Sequence, residues 1–370
     1  MRPRLSDLTK RGAACAALLG VLALIPGAKW RARQPTLRRG AGIREAQEGS
    51  ESPDSLVVTV DSAHHTITLL EGPFRVPPMD PSMSLDSPEH NTRMRRFAWP
   101  FDGWIRGFRI AVENRRGEPM QGRVLHHLIV VNFSRRALIY PMFERLMGAG
   151  GETANGSVPA TAGIPMKRGM RLGMYVGWHN DADTALDGVY VRLTFLWTPR
   201  TADPTPISFL PAHFDVHEVV GVADSYDLPP GHSETSYEFR LPVGGHLLGM
   251  GGHLHEYGAS VRLEDVERGR IVSELHALRD SSGQVLGVGR QLFGLLGPGK
   301  RLYANRTYRI VGVFDNPTGH TLVEGGMANM LGLFVPDDWR KLPAVDLSDP
   351  GLQRDLAMLE SFGQGHSPQP

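Results

Sequence analysis

Apolar positions in this chain come mainly as short alternating runs. Residues 56–60 and 66–70 flank a polar stretch and predict two strands joined by a turn. Residues 107–112 read Gly-Phe-Arg-Ile-Ala-Val, a period of two that buries one face of a strand. Residues 125–133 hold the β-branched run Ile129-Val130-Val131, which suits a pleated, packed surface. Residues 172–178 and 189–197 make the next predicted pair, with Asp187-Gly188 as a turn dipeptide between them. The stretch 198–211 carries several prolines and reads as a crossing. Further strands are predicted over 237–241, 253–263, 271–278, 306–314 and 327–335. The polar tail has one weak helical pattern over 350–359, and no repeat of fixed period is visible.

This pattern predicts an all-β fold of two tandem antiparallel β-sandwich, jelly-roll-like domains with an interdomain cleft. A length of 370 residues fits two domains of ordinary size. The expected division is an N-terminal sandwich over 56–199, a crossing over 200–235, a C-terminal sandwich over 236–336 and a tail over 337–370. The formal net charge of +1 gives no electrostatic footprint for nucleic acid or an acidic membrane surface.

The first 28 residues read as a signal peptide. Arg2, Arg4, Lys10 and Arg11 precede an apolar run from Ala13 to Ala28, short for a membrane span. Lys29, Arg31 and Arg33 follow at once, so a retained signal anchor is the alternative. Residues 29–55 are polar and read as a linker. The expectation is an exported protein, periplasmic, secreted or tied to a membrane only through that anchor. The single cysteine, Cys15, would leave with a cleaved signal. A cysteine-free mature chain excludes thiolate zinc sites, iron–sulfur clusters and blue-copper centres, which need a sulfur anion.

Four histidine or methionine groups are candidates for metal chemistry. His253-Leu254-His255 is the strongest single signal, because residues i and i+2 of a strand share one face and can pinch a cation. His126 and His127 are adjacent in an apolar strand and should point to opposite faces. They serve one metal only if a twist or bulge brings them together; otherwise one is a core histidine and the other a surface one. His179 ends a strand in Val-Gly-Trp-His-Asn, where an ordinary polar residue is also at home. Met327 and Met330 differ by three positions, so on a strand at most one meets a given site, and core filling is the alternative for both.

The order of these groups resembles the copper type II, ascorbate-dependent monooxygenase family, as in the catalytic cores of peptidylglycine α-hydroxylating and dopamine β-monooxygenases. Leu125-His126-His127-Leu128-Ile129 looks like the family's paired-histidine strand, and Val176-Gly177-Trp178-His179-Asn180 like its third-histidine segment. Gly252-His253-Leu254-His255 looks like its H-x-H strand, and Gly325-Gly326-Met327 like its methionine segment. The resemblance implies two copper ions per chain. His126, His127 and His179 would hold the electron-transfer copper. His253, His255 and Met327 would hold the copper that meets dioxygen and substrate, and would be the catalytic residues.

The same resemblance implies a copper-dependent monooxygenase that hydroxylates a C–H bond, with dioxygen and ascorbate or a similar electron donor. The substrate class is a small molecule or a peptide. The alternative is a non-enzymatic copper-binding protein for storage, delivery or electron transfer. Two features depart from the family: the chain lacks the disulfides of the animal enzymes, and Glu256 follows His255. His64, His65, His213, His217, His246 and His320 are expected to be no first ligands, with His213 and His217 placed near the crossing.

Overall fold

The structure, a computed structural model, describes residues 55–79, 90–120, 124–150, 155–222, 225–281, 283–294 and 299–363. The predicted signal segment, and the linker up to residue 54, lie outside these described residues.

The N-terminal half contains β1 (Ser55–Asp61), β2 (Thr66–Val76), β3 (Arg95–Ala98), β4 (Gly103–Glu113), β5 (Leu125–Arg136), β6 (Phe143–Gly150), β7 (Asn155–Ser157), β8 (Ala162–Met166), β9 (Arg171–Trp178), β10 (Leu186–Pro199) and β11 (Ile207–Ser208). The C-terminal half contains β12 (Leu210–Asp215), β13 (Tyr226–Leu228), β14 (Gly231–Arg240), β15 (Gly245–Leu254), β16 (Gly258–Asp265), β17 (Arg270–Arg279), β18 (Val285–Val288), β19 (Gln291–Leu292), β20 (Lys300–Leu302), β21 (Thr307–Asn316), β22 (Leu322–Gly326) and β23 (Ala328–Pro336). One α-helix, α1 (Pro350–Ser361), closes the described chain. The fold is all-β and sandwich-like, as the alternating pattern predicts.

In the N-terminal half, the sheet β1-β2-β10-β4-β8-β11, with β7 on β4, faces the sheet β3-β9-β5-β6. Pairing is antiparallel apart from β11 on β8. Ile67, Leu69, Val191, Leu193 and Phe195 from the first sheet meet Leu128, Val130, Leu172 and Val176 from the second. Strand β5 is apolar on both faces because both are covered. Leu128 and Val130 point into this core, while Ile129, Val131 and Phe133 point outward to Leu352, Leu359 and Phe362 of the α1 region. A strand covered on both faces shows a continuous apolar run instead of alternation.

The predicted tail is therefore part of the N-terminal sandwich. Helix α1 starts at its N-cap Asp349, with Pro350 in its first turn. Its Asp355 is fully buried, pairs with Arg145 at 2.5 Å and accepts the Phe143 N–H at 2.9 Å.

In the C-terminal half, β14-β21-β16-β17-β18 packs against β12-β23-β15-β19, with β20 on β15. Met250, Leu254, Met330 and Phe334 join Val261, Leu263 and Ile310 in its core. The other face of β23 carries Leu331 and Leu333, which belong to the N-terminal core together with Leu248. The sheet containing β12, β15 and β23 thus has one face in each core, and this shared layer positions the histidines.

Three expectations change. The crossing over 200–235 carries strands of both halves: β11 pairs with the N-terminal half, and β12 pairs with β23. Strands β9 and β10 do not pair with each other but lie in different sheets. Asp187-Gly188 lies at a register shift inside β10, with Gly188 at φ 69°, so the dipeptide bulges a strand instead of turning a hairpin.

Candidate metal centre

The paired histidines meet through a bulge. In the β5–β9 pairing Leu125 lies opposite Trp178 and His127 opposite Gly177, so His126 is the extra residue. The bulge relaxes the strict alternation of the strand. The two rings end with centroids 4.8 Å apart. The ring of His127 stands over Gly177, makes an edge contact with Tyr175 and bonds Asn91 Oδ1 through Nε2 at 2.6 Å. An amide oxygen only accepts, so Nε2 carries the proton and Nδ1 keeps its lone pair for a metal.

His179 follows β9, with its backbone N–H on the Val124 carbonyl at 2.9 Å. That bond holds it beside the start of β5. Its Nε2 donates to Asp181 Oδ1 at 2.6 Å, which again leaves Nδ1 as the ligand nitrogen.

The H-x-H pair sits at the end of a strand, not at the start of one spanning 253–263. Strand β15 stops at Leu254, and Tyr257 at φ 67° turns the chain into β16. Leu254 enters the C-terminal core, while His253 lies opposite Asn329 on β23. Residues directly opposite share a face. His253 therefore faces the same way as Asn329, Leu331 and Leu333, towards the N-terminal sandwich. The rings of His253 and His255 meet edge to face, centroids 5.3 Å apart.

Met327 lies between β22 and β23, outside a strand. Its carbonyl accepts the His255 N–H at 3.0 Å. Its side chain is buried but joins neither hydrophobic core, whereas Met330 is a core residue of the C-terminal sandwich. The two methionines differ in surroundings, but not through alternation along a strand, since Met327 lies outside β22 and β23.

Burial controls the charge of these rings. His126 is held neutral, its pKa pushed well below the ordinary value by burial and then by the neighbouring charges of His127, His179, His255 and His253. His253 is shifted in the same direction by burial and by His255. Part of the His127 ring still touches solvent, yet burial lowers it to about 4. A metal needs neutral imidazoles, so these rings are in the ligating form over the ordinary pH range.

Two of the rings also have nitrogens with nothing to bind. Both Nδ1 and Nε2 of His126, and Nε2 of His253, are buried without a hydrogen-bond partner. Buried polar atoms are normally satisfied, and leaving one unpaired costs about 1–3 kcal/mol. A metal ion on these nitrogens would remove that penalty. No three His, Cys, Asp or Glu side chains already close a cage among the described residues. The rings are paired; His179 is held near the start of β5 by its backbone bond to Val124, and Met327 meets His255 through its carbonyl.

Asn91, Asp181 and Gly177 escaped the sequence reading as parts of the site. Asn91 and Asp181 act through hydrogen bonds to rings, which no spacing along the chain announces. Glu256 turns away from the metal reading: its carboxylate accepts the Val285 N–H at 3.1 Å and lies 3.6 Å from Arg279. His64 and His65 lie in the β1–β2 turn, and His217 and His320 bond nearby backbone carbonyls. His213 is buried at the meeting of the halves, both ring nitrogens unpartnered.

No protein-family model matches the chain, and no curated protein matches it. Among solved structures the chain is similar to the Cowpea mosaic virus top component, a naturally occurring empty particle. That likeness has a TM-score of 0.31 and 11% identity, over 69% of this chain and 94% of that one. So weak a superposition carries no argument about this chain. Its own sheets define the class: an all-β protein of packed antiparallel sandwiches.

Proposed function

We propose that this chain is a copper protein of the monooxygenase type, which hydroxylates a C–H bond of a small-molecule or peptide substrate with dioxygen and an ascorbate-like reductant. One observation carries the reading: His126 and His253 are buried, held neutral, and keep ring nitrogens without a partner. Copper bound there would supply one-electron redox chemistry and, at the site with fewer nitrogen ligands, an open position for dioxygen.

The rest of the chemistry belongs to the chain. Asn91 and Asp181 fix the tautomers of His127 and His179 and aim their Nδ1 atoms. The bulge at His126 brings it beside its neighbour, and the edge-to-face contact sets the angle between His253 and His255. Met327 offers a soft thioether, which favours Cu(I) over Cu(II). The Leu331 and Leu333 face keeps water from the layer between the sandwiches. The basic and apolar N-terminus fits export, where copper and oxygen are both at hand.

The second reading is a copper storage, delivery or electron-transfer protein. It is favoured by the depth of His253, only 4% exposed, and by the packed layer beside it, which leave little room for a substrate. The discriminating experiment loads the purified chain with copper anaerobically, then measures stoichiometry and ascorbate-dependent oxygen consumption over a panel of substrates. Two coppers with substrate-stimulated consumption fit the monooxygenase. Two coppers without it select the second reading, and one or none overturns the paired-site model.

A further inference from the structure

Strand β1 forms one edge of the large N-terminal sheet, and among the described residues it pairs with β2 alone. Its residues run in continuous register against β2, with no bulge. The backbone N–H and C=O groups on its other side therefore make an uninterrupted row, a template for another strand. Sheets commonly blunt such an edge with proline, a bulge, charged side chains or a cover. The sequence Ser-Leu-Val-Val-Thr-Val-Asp has no proline, no basic residue and a single acid at its end. The long edge strand β14 of the C-terminal half differs, with His232, Glu234, Glu238 and Arg240 spread along it.

The core side of β1 is also left uncovered. Leu56, Val58 and Val60 lie opposite Glu71, Leu69 and Ile67 of β2, and residues directly opposite share a face. Those three partners are fully buried. Val58 and Val60 nevertheless remain 41% and 39% exposed. Arg95 of β3, the edge strand of the facing sheet, reaches Glu71 at 2.9 Å, so that sheet ends over β2. An aliphatic row overhangs the sandwich beyond it.

The strand is complementary to itself. A two-fold axis through Val58, perpendicular to the sheet, sets Val58 opposite Val58, Leu56 opposite Val60 and Val57 opposite Thr59. Every core-side residue then meets a core-side residue, and β-branched side chains oppose one another in the pairs that stabilise sheets. Asp61 of one copy falls opposite position 55 of the other, which keeps the two acids apart. A second copy thus completes the backbone row and covers the aliphatic row at once, in the closed two-fold arrangement commonest among assemblies of one chain.

We propose that β1 is a dimerisation edge: two copies of this chain pair antiparallel through residues 55–61, centred on Val58, and join their large sheets into one. A strand edge of this length is small beside the about 1,200–2,000 Å² of standard stable interfaces, so the association is reversible and depends on concentration. It does not rest on the copper reading, and each copy keeps its own histidines.

The test is sedimentation velocity of the purified chain over a wide range of concentration, with and without copper. The expected mass rises from that of one chain to that of two; one chain throughout overturns the proposal. Val58→Lys and Val58→Glu, at a position already partly open to solvent, each place like charges across the axis. Each is expected to raise the dissociation constant at least about tenfold, since like charges directly opposite are destabilising. An equimolar mixture of the two should associate again, because Lys then meets Glu. Parent-like association of either variant alone, or a mixture that stays monomeric, overturns the proposal. Hydrogen exchange of the parent needs no variant: the β1 amides that point away from β2 should gain protection as dimer forms, and unchanged protection there places the contact elsewhere and overturns it.

Discussion

Gly177 lies directly beneath the ring of His127. The two are paired in register across β9 and β5, and a methyl group on Gly177 would fall 2.6 Å from His127 Nε2 and 2.8 Å from Cε1. Glycine is required here for close approach, not for an unusual backbone angle. In Gly177→Ala the ring must swing away, since a side chain gives more easily than a strand. Its bond to Asn91 is then lost, and with it the aim of Nδ1. The variant is expected to fold, with copper affinity at the N-terminal site reduced about 10–100-fold. Chelator competition measures this, and an unchanged affinity would refute the role of the contact.

Met327 and Met330 should separate cleanly. Met330→Ile is a nearly volume-conserving change in the C-terminal core and is expected to cost below about 1.5 kcal/mol. Its Cu(I) binding should match the parent. Met327→Ile removes the thioether of the residue whose carbonyl holds the His255 N–H, and on the copper proposal is expected to weaken Cu(I) at one site while sparing the other. Cu(I) titration against a chromophoric chelator reads both, and equal effects of the two substitutions would sink the assignment.

Tyr140 ties the two halves together. Its hydroxyl donates to the Asp215 carbonyl at 3.1 Å and accepts the Asp215 N–H at 2.8 Å, both in buried surroundings. Tyr140→Phe keeps the ring and removes both hydrogen bonds to the Asp215 backbone. The expected loss is about 1–3 kcal/mol in unfolding free energy, read from urea denaturation. Stability equal to the parent would show that the tie contributes nothing.

His213 should make the metal-free protein acid-sensitive. Burial and the nearby Arg145 lower its pKa from 6.5 to about 3, although Asp215 Oδ2 lies 3.6 Å away. An unfolded chain takes up this proton near pH 6.5, and the folded chain only near 3. Between those values the unfolded state binds more protons, so stability is complete above pH 6.5 and falls as pH drops towards 3. His127 acts in the same direction down to about 4. Urea midpoints are expected to decline from pH 7 to pH 4, and His213→Gln is expected to flatten that decline. An identical slope in the variant would place the acid sensitivity elsewhere.

Much of the fold was legible along the chain because strand periodicity is local. The β1–β2 hairpin, the strands around residues 107–112 and 306–314, and the helix near 350–359 all follow from patterns a few residues long. The contact of His253 with His255 is also short-range, although His255 lies past the end of β15, so its ring is placed by the turn and not by strand alternation.

Other features depended on which strand meets which. The adjacency of His126 and His127 allowed two outcomes, and the bulge against Trp178 and Gly177 decided between them. Asn91 reaches His127 from a distant segment, and α1 covers β5 through Asp355 and Arg145. The Asp187-Gly188 dipeptide was compatible with a hairpin until β9 and β10 went to separate sheets. By itself the sequence determined most of the strands, their wet and dry faces, and the closeness of His253 and His255. Tertiary structure alone decided that His253 faces the layer shared with the N-terminal core and that His126 bulges beside His127, because facing and burial are set by long-range packing of sheets that local periodicity does not encode.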